Sequence, residues 1–345
     1  MTMMLPSVLA TVEELVQPAI RTALERVDER TRLVAGYQLG YWDVTGEPSS
    51  RAGKGLRPGL ALLSARAAGQ PVERGLPAAV AVELVHNFSL LHDDVIDGDR
   101  QRRHRPTAWA AFGIGPAILA GDALLGLADE VICAAPDVDV RAGLTTLHAT
   151  IRRLIAGQAA DVEFEHRLDV TLDECLTMAR NKTAALLACS ATLGAVLCGA
   201  APAVVDGLAR YGERLGLAFQ LVDDLLGIWG EPAVTGKPVL ADLRARKKSV
   251  PVVRALTSGG PAGKQLAELY ASPGELSATD LTLAATLIEE AGARDWTEKQ
   301  ADRLLTEALA ELDHLAEVDA RSGADVSGVH ADLVAIAHFM TGRDH

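Results

Sequence analysis

Residues 90–109 read LLHDDVIDGDRQRRHRPTAW, and in this stretch a run of acidic residues is followed at once by a run of basic ones. A solvated helix face usually mixes charges of both signs, whereas here the order is acid first and base second, directly after an apolar run. The order therefore raises the question whether this stretch has a chemical role, which the rest of the sequence has to answer. The acidic residues are Asp93, Asp94, Asp97 and Asp99, and the basic ones are Arg100, Arg102, Arg103, His104 and Arg105.

The aspartates of this stretch are spaced for the end of a helix. Asp93 and Asp97 are four residues apart and share a helix face, with Asp94 beside them, and Gly98 is a suitable terminator. Carboxylates at a helix C-terminus repel one another and the helix dipole. Mg²⁺ held by these groups and by substrate phosphates would relieve the repulsion. The alternative is an exposed acidic helix end.

A second acidic pair lies in LAFQLVDDLLGIWG, residues 217–230, where Asp223 and Asp224 interrupt an apolar helical run. Adjacent carboxylates in such surroundings are costly unless they are paired or bind a ligand. Two acidic helix ends that are distant in sequence can face each other across a cavity with metal ions between them. The alternative is that one aspartate caps a helix and the other is solvated.

Several basic residues are candidates for binding phosphate. The segment RAGKGLRPG, residues 51–59, places Lys54 and Arg57 in a glycine-rich loop before a helix, although the spacing is not that of a Walker A loop. Each of these residues alone could be a solvated surface group. Together they provide more positive charge than one phosphate group needs. Further candidates are Lys182 with Thr183, the lysine of VTGKP (residues 234–238), and Lys247 with Lys248.

Helical periodicity recurs along the chain, and no alternating strand pattern interrupts it. Alanine and leucine dominate and only 4% of the 345 residues are aromatic, which favours helices over sheets. The prediction is an all-α single domain over residues 1–345, with a catalytic core at about 50–250 and peripheral helices at about 259–345. Glycine- and proline-rich breaks are expected at residues 45–58, 98–106, 135–139, 199–202, 230–238 and 259–263, and near Pro273.

The composition excludes several partners and sites. A formal net charge of −13 argues against nucleic acid and anionic lipid, which attract basic surfaces. The four cysteines form no C-x-x-C pair, so a zinc site is not expected. Scattered thiols also fit a reducing cytoplasm better than a disulfide framework. The first 15 residues lack the pattern of a signal peptide.

The segment of residues 183–205 carries no charged side chain and is long enough to cross a bilayer. It is rich in Ala, Gly, Thr, Ser and Cys, and it contains Pro202. Lys182 and Asp206 bound it on either side. We therefore expect a buried helix followed by a turn, with no stable insertion into a membrane.

Taken together, the motifs resemble those of the trans-type isoprenyl diphosphate synthases, or polyprenyl synthetases. DDVID followed by RR, with GKGLRP upstream and KT, FQLVDD and TGKP downstream, occurs in the family's order over residues 50–250. The resemblance implies a bundle of long helices around a deep central cavity and a homodimer. It also implies an enzyme that condenses isopentenyl diphosphate with an allylic prenyl diphosphate to give a short all-trans product, with Mg²⁺ as cofactor (three ions).

The resemblance also implies roles for individual residues. The metal ligands would be Asp93, Asp94, Asp97, Asp223 and Asp224. The allylic diphosphate would contact Arg102, Lys182 and Lys237, with Thr183 and Gln220 nearby. The isopentenyl diphosphate pocket would hold Lys54, Arg57, His86 and Arg103, and Lys247 matches a further basic position. The family's second motif commonly ends in a third aspartate, and this chain has Gly227 there.

The length of the product depends on which residues close the cavity that holds the growing prenyl chain. Phe88 and Ser89 lie five and four residues before Asp93, and so about one helical turn from the metal ligands. Phe is large enough to form a floor and Ser is not. Family members with a single aromatic residue at the fifth position resemble geranylgeranyl (C20) diphosphate synthases. C20 is the expected product, and farnesyl (C15) diphosphate is the alternative.

Three other functions explain less of the sequence. A metal-dependent phosphohydrolase of the HD type could use His86, His92 and Asp93, but it leaves the basic motifs unexplained. A terpene cyclase shares the ionisation step, yet it does not need the second diphosphate pocket for which Lys54 and Arg57 are candidates. A non-catalytic subunit of a heteromeric synthase would be expected to lose aspartates of the first motif.

Overall fold

The computed structural model describes residues 8–49, 53–102, 104–231, 239–320 and 327–342, which are almost entirely helical. The helices are α1 (Val8–Thr11), α2 (Gln17–Leu24), α3 (Glu29–Leu39), α4 (Leu56–Ala67), α5 (Leu76–Ile96), α6 (Ala108–Phe112), α7 (Ile114–Cys133), α8 (Val140–Glu165), α9 (Leu172–Ala179), α10 (Ala185–Leu197), α11 (Pro202–Trp229), α12 (Ala241–Arg244), α13 (Val250–Leu256), α14 (Pro261–Ala271), α15 (Ala278–Glu290), α16 (Ala293–Ala320) and α17 (Ser327–Thr341). Two π-helical turns, Val12–Val16 and Arg180–Ala184, and a 3₁₀ turn, Val72–Gly75, join some of them. The strands β1 (Gln101–Arg102) and β2 (Arg105–Pro106) form a short antiparallel hairpin.

The chain forms two compact units. The first unit comprises Met1–Ile151, Leu186–Gly212 and Ala310–Phe339. The second unit comprises Arg152–Ala185, Glu213–Leu309 and Met340–His345. Each unit is built from segments distant in sequence, and the boundary after Ile151 falls inside α8. The single-domain organisation inferred from the sequence stays a prediction.

In the first unit, small residues allow helices to approach closely. α5 is buried on nearly all sides over its first turns, which its unbroken apolar sequence predicts. Gly194 of α10 lies against the carbonyl oxygen of Ala61 in α4, where a Cβ atom would overlap that oxygen. The hydroxyl of Ser64 donates to Ala61 O (2.8 Å) and accepts from the amide of Ala195 (3.2 Å), so the contact is also hydrogen-bonded. This packing fixes α4, which carries Arg57, against its neighbours.

In the second unit, an apolar cluster includes Phe164 of α8, Leu217 and Leu221 of α11, and Val253 of α13. The N-terminus of α9 is held by a capping box in which Thr171 and Glu174 bond each other's backbone amides. Burying each large side chain of such a cluster contributes about 2 kcal/mol. The cluster holds α8, α9, α11 and α13 together, and these helices carry the acidic and basic residues described below.

The architecture confirms the prediction of an all-α fold. Six of the expected breaks lie between α3 and α4, α5 and α6, α7 and α8, α10 and α11, α13 and α14, and α14 and α15. Most of the expected break at residues 230–238 lies outside the described residues. The hairpin was not predicted from the sequence. The charge-free segment forms α10, a turn with Gly199 at φ 69° and the start of α11. None of the helices described here is both long and apolar enough to span a bilayer.

Candidate active site

The acidic end of α5 has the geometry that its spacing predicts. α5 ends at Ile96, the amide of Asp97 donates to Asp93 O (2.8 Å), and Gly98 follows with φ 68°. The Asp93 and Asp97 side chains are half-buried, whereas Asp94 is buried with 1% of its surface exposed. The three aspartates are therefore in two different environments.

Asp94 is paired with Arg102. Arg102 donates from Nε (2.8 Å) and Nη2 (2.7 Å) to Oδ1 of Asp94. Burial raises the pKa of the Asp94 carboxyl above its ordinary value, although Arg102 opposes the rise. The other oxygen, Oδ2, is buried and has no hydrogen-bond partner among the described residues. Asp94 thus positions Arg102 and keeps one oxygen unused.

The hairpin that carries Arg102 is anchored on both sides. The hydroxyl of Tyr37 donates to Pro106 O (2.7 Å), and the indole of Trp109 donates to Asp99 O (2.8 Å). Arg105 stacks on the ring of Tyr37 and Arg100 on that of Trp109. In the basic run, Arg100 and Arg105 therefore stack on aromatic rings, whereas Arg102 forms an ion pair with Asp94. Arg103, assigned above to a substrate pocket, lies outside the described residues.

A separate basic group lies farther back along α5. Nη1 of Arg57, in the first turn of α4, donates to Nε2 of His86 at 3.4 Å. His86 precedes Asp94 by eight residues, which places it about 12 Å away along the helix. The structure therefore brings together two of the residues assigned to isopentenyl diphosphate, apart from the Asp94–Arg102 pair. Lys54 is exposed, with Nζ 4.9 Å from the centre of the Phe339 ring.

The two candidate chain-length residues are both buried on α5. Phe88 is in edge contact with the ring of His92, with 4.8 Å between the ring centres. His92 lies against Gly121 of α7, where a Cβ atom would overlap the imidazole, and its Nε2 is 3.1 Å from Ile118 O. The hydroxyl of Ser89 donates to His86 O (2.8 Å) within the same helix. Phe88 is thus a large side chain held in place by a second ring.

The second acidic pair on α11 also divides into two roles. Asp223 is exposed and Asp224 is buried. Asp224 accepts hydrogen bonds from Gln220 Nε2 (2.7 Å) and from the amide of Val250 (2.8 Å), the first residue of α13. Burial raises the pKa of Asp224 to about 7. Asp224 therefore links two helices, as the capping alternative implies, and its role as a metal ligand stays a prediction.

The space beside Gly227, the position that departs from the family pattern, is filled by the carboxylate of another acidic residue. Gly227 lies three residues beyond Asp224 on α11, and a Cβ atom there would overlap the carboxylate of Asp242 in α12. Asp242 also contributes to the raised pKa of Asp224 through like-charge repulsion, after the larger effect of burial. The region that lacks a third aspartate in the motif thus receives a carboxylate from another helix.

Lys182 lies in the π-helical turn between α9 and α10. Its backbone is pressed against Gly157 of α8, where a Cβ atom would overlap it. Its Nζ forms an ion pair with Asp161, one turn beyond Gly157. The hydroxyl of the next residue, Thr183, donates to Gln220 Oε1. The turn therefore connects Thr183 to Asp224 through Gln220, whereas Lys182 is paired with Asp161.

Of the remaining predicted site residues, Lys237 lies outside the described residues, and Lys247 is half-buried with its amide donating to Asp242 O (2.9 Å). Sequence reasoning missed Asp161 and Asp242. A signal existed for Asp161, because it places a polar group beside the apolar stripe of α8. None existed for Asp242, whose position depends on the tertiary contact with Gly227.

The aspartates offer only oxygen ligands, which suit a hard cation such as Mg²⁺. The unused oxygen of Asp94 is consistent with this chemistry. Among the residues that the structure describes, no three acidic, histidine or cysteine groups already form a metal-binding cluster. Mg²⁺ commonly takes only one or two protein carboxylates together with substrate phosphates, so the donor set fits without such a cluster.

Comparison with known proteins agrees with the sequence and the fold. The family model of the polyprenyl synthetases matches residues 44–286. The chain is 47% identical over 340 residues to a (2E,6E)-farnesyl diphosphate synthase of Mycobacterium tuberculosis (strain ATCC 25618 / H37Rv), covering 97% of this chain and 92% of that protein. It is 44% identical over 298 residues to a geranylgeranyl diphosphate synthase of the same strain, covering 86% and 85% respectively.

Solved structures show the same relationship. A polyprenyl synthetase from Streptomyces coelicolor A3(2) is 46% identical with a TM-score of 0.89, covering 98% of this chain and 99% of that one. A geranylgeranyl pyrophosphate synthase from Corynebacterium glutamicum, complexed with isoprenyl diphosphate and magnesium, is 27% identical with a TM-score of 0.80, covering 99% of each. The fold and these similarities define a prenyltransferase of the isoprenyl diphosphate synthase class. The chain belongs to the polyprenyl synthetase family.

Proposed function

We propose that this enzyme condenses isopentenyl diphosphate with an allylic diphosphate to give geranylgeranyl diphosphate, a C20 product. The observation that carries the proposal is the pair of separate basic groups on the first unit, Arg102 with Asp94 and Arg57 with His86. A condensation of two diphosphates needs two such groups, whereas a terpene cyclase needs one. The geometry therefore favours chain elongation over cyclisation.

In the proposed reaction, the C–O bond of the allylic diphosphate breaks and the electron pair leaves with the diphosphate. The double bond of isopentenyl diphosphate attacks the resulting cation, and the departed diphosphate takes the proton that is lost. Arg102 and Lys182 stabilise the charge that develops on the leaving group. Arg57, His86 and Lys54 hold isopentenyl diphosphate, and the apolar interior excludes water that would quench the cation.

Mg²⁺, for which we propose three ions, would be held by Asp93, Asp97 and Asp223, with Asp94 and Asp224 as further candidates. When bound, Mg²⁺ neutralises charge on the diphosphate leaving group. Support comes from the oxygen-only donor set and from the related enzyme of Corynebacterium glutamicum, which was solved with magnesium. Lys237, Arg103 and Lys247 complete the proposed substrate contacts on the strength of the sequence resemblance.

The proposal of a C20 product rests on Phe88 as the floor of the product site, with Ser89 too small to serve. A C15 product is the second candidate, because the relative that shares 47% identity over 97% of this chain is a farnesyl diphosphate synthase. Both products belong to the same reaction and differ only in when elongation stops.

Incubation of the purified enzyme with Mg²⁺, labelled isopentenyl diphosphate and a single allylic primer tests the proposal. Dimethylallyl, geranyl and farnesyl diphosphates are supplied in separate reactions, and the products are sized by chromatography. C20 from all three primers is expected. Products that stop at C15, with no use of farnesyl diphosphate, would support the second candidate. Cyclic hydrocarbons or free phosphate without elongation would contradict the proposal.

We further propose a cytoplasmic homodimer. The family resemblance supports the dimer, and the free thiols of Cys133, Cys175, Cys189 and Cys198 fit a reducing compartment. Light scattering coupled to size-exclusion chromatography tests the dimer: a mass near 36.3 kDa would indicate a monomer instead.

A further inference from the structure

The last described helix, α17, lies along α4. Asp332 forms an ion pair with Arg66 near the end of α4 (3.5 Å). Ile336 lies against Gly59 in the first turn of α4, with its Cδ1 3.8 Å from the place where a Cβ atom of that glycine would stand. Residues four apart on a helix share a face, so one face of α17 makes both contacts. The order of the contacts shows that the two helices run antiparallel.

The same face of α17 continues to Phe339, three residues beyond Ile336. Phe339 is buried, with 8% of its surface exposed. Its ring lies under the ammonium of Lys54 in the loop before α4, with 4.9 Å between Nζ and the ring centre. A cation within about 6 Å of a ring centre is attracted to the face of the ring. The helix that packs on α4 therefore also contacts a candidate substrate residue.

The loop that carries Lys54 is fixed, but the lysine side chain is exposed. Gly55 has φ 70°, and a Cβ atom there would overlap Val12, so the backbone of the loop is closely packed. The ammonium of Lys54 stands on a long, flexible stem. Within the described part of the chain no hydrogen bond or ion pair holds it. The ring of Phe339 is therefore the contact that limits where this charge can lie.

We infer that Phe339 is a positioning residue, whose ring holds the ammonium of Lys54 at the pocket for isopentenyl diphosphate. The inference rests on the proposed role of Lys54. The ring takes no part in the reaction itself. It reduces the freedom that the lysine side chain would lose when the diphosphate binds, so it should act on the affinity for isopentenyl diphosphate and not on the chemical step. The allylic substrate, proposed to contact Arg102 and Lys182, should not be affected.

Replacement of Phe339 by leucine tests the inference, since leucine keeps the apolar packing and has no ring. The KM for isopentenyl diphosphate, measured in steady-state condensation with geranyl diphosphate, should rise about five- to tenfold, which reflects the cost of immobilising one long side chain on binding. The KM for geranyl diphosphate and kcat should change less than twofold. Phe339→Tyr keeps the ring and should restore the KM for isopentenyl diphosphate to within twofold of the wild type.

A double-mutant cycle with Lys54→Ala separates positioning from packing. Lys54→Ala should itself raise the KM for isopentenyl diphosphate, and the addition of Phe339→Leu should raise it no further, because the ring then has no ammonium to hold. Ile336→Val is the matched control. It removes a methyl group from the same face of α17 beside Gly59, so it loosens the packing without touching Lys54. Its KM for isopentenyl diphosphate should stay within twofold of the wild type.

An unchanged KM for isopentenyl diphosphate in Phe339→Leu would overturn the inference. Equal increases with and without Lys54 would overturn it too, because Phe339 would then act through packing alone. An unchanged KM in Lys54→Ala would overturn the proposed role of Lys54 and the inference with it, although elongation by the wild type would still support the proposed function. A wild-type enzyme that does not elongate would overturn the proposed function and the inference together.

A second variant keeps the inference testable where Phe339→Leu fails to fold. Pentafluorophenylalanine at position 339, incorporated by amber suppression, keeps the shape of the ring and removes the negative charge of its face. The KM for isopentenyl diphosphate should rise as in Phe339→Leu, with the melting temperature close to that of the wild type. An unchanged KM in this variant would overturn the inference.

Discussion

At the scale of single residues, neighbouring aspartates differ more than their motif suggests. Asp94 is buried and bound to Arg102, whereas Asp93 is half-buried. Asp224 is buried and bound to the N-terminus of α13, whereas Asp223 is exposed. In each motif one carboxylate supports the structure and its neighbour remains accessible to a ligand. A sequence in which both are simply Asp cannot show this difference.

The difference in burial between Asp93 and Asp94 predicts that their mutants differ in stability although both lose activity. Asp93→Ala and Asp94→Ala should both abolish turnover, the first through the proposed metal site and the second through loss of Arg102 positioning. Only Asp94→Ala should also destabilise the fold, by about 3 kcal/mol, because it leaves a largely buried guanidinium without its partner. Urea denaturation of both variants measures this. Equal stability of the two variants would show that the Asp94–Arg102 pair contributes little.

Gly227 gives a second prediction at this scale. Restoring the family pattern with Gly227→Asp should lower both stability and activity, because the new side chain would overlap the carboxylate of Asp242 and add a like charge. Asp242→Ala introduced together with Gly227→Asp should recover part of the stability. A double-mutant cycle from thermal unfolding gives the coupling energy of the pair. A stable and more active Gly227→Asp single variant would contradict the observed contact.

At the scale of helices and turns, local chemistry was enough to predict most boundaries. Pro202 begins α11, Gly98 follows α5 and Gly199 follows α10, as their conformational preferences imply. The hairpin was missed because two-residue strands carry no alternating pattern. The π-helical turn at Lys182 was missed because it depends on contact with Gly157, which lies in a different helix.

The capping box of α9 supplies a prediction about pH. Hydrogen bonds from Thr171 and an ion pair with Arg167 lower the pKa of Glu174 to about 2. A carboxyl whose folded-state pKa is lowered stabilises the fold above its ordinary value of 4.5. That stability is lost as the pH falls from 4.5 through about 2. Glu174→Gln should therefore melt below the wild type at pH 7, and the gap should narrow below pH 4.5.

The control for this prediction is Asp173→Asn, which changes an exposed acid in the same helical turn. Its melting temperature should follow that of the wild type across the pH range. A gap between the wild type and Glu174→Gln that stays constant from pH 7 to pH 3 would show that the ionised form is not the stabilising one.

At the scale of the whole molecule, the sequence predicted the all-α fold and supplied candidate site residues, whose roles stay predictions, but it indicated few of their partners. The motifs supplied Asp94, Lys182 and Asp224 directly. Their partners come from other parts of the chain: Asp161 bonds Lys182, and Val250 bonds Asp224. Such partners are set by helix packing, which one sequence does not determine. The structural role of an acidic residue was therefore harder to predict than its presence.

Product length is a property of the whole interior, and it yields the last prediction. Phe88 is buried, and its ring is held by the ring of His92, which is itself seated against Gly121. Because Phe88, as the proposed floor, is supported in this way, Phe88→Ala should shift the products from the proposed C20 to longer chains. The cost to stability should be about 3 kcal/mol, as for other buried Phe residues. Ser89→Ala is the control: its hydroxyl bonds only its own helix, so the distribution should not change. Chromatography of products from farnesyl diphosphate measures both variants. An unchanged distribution in an active Phe88→Ala enzyme would place the floor elsewhere.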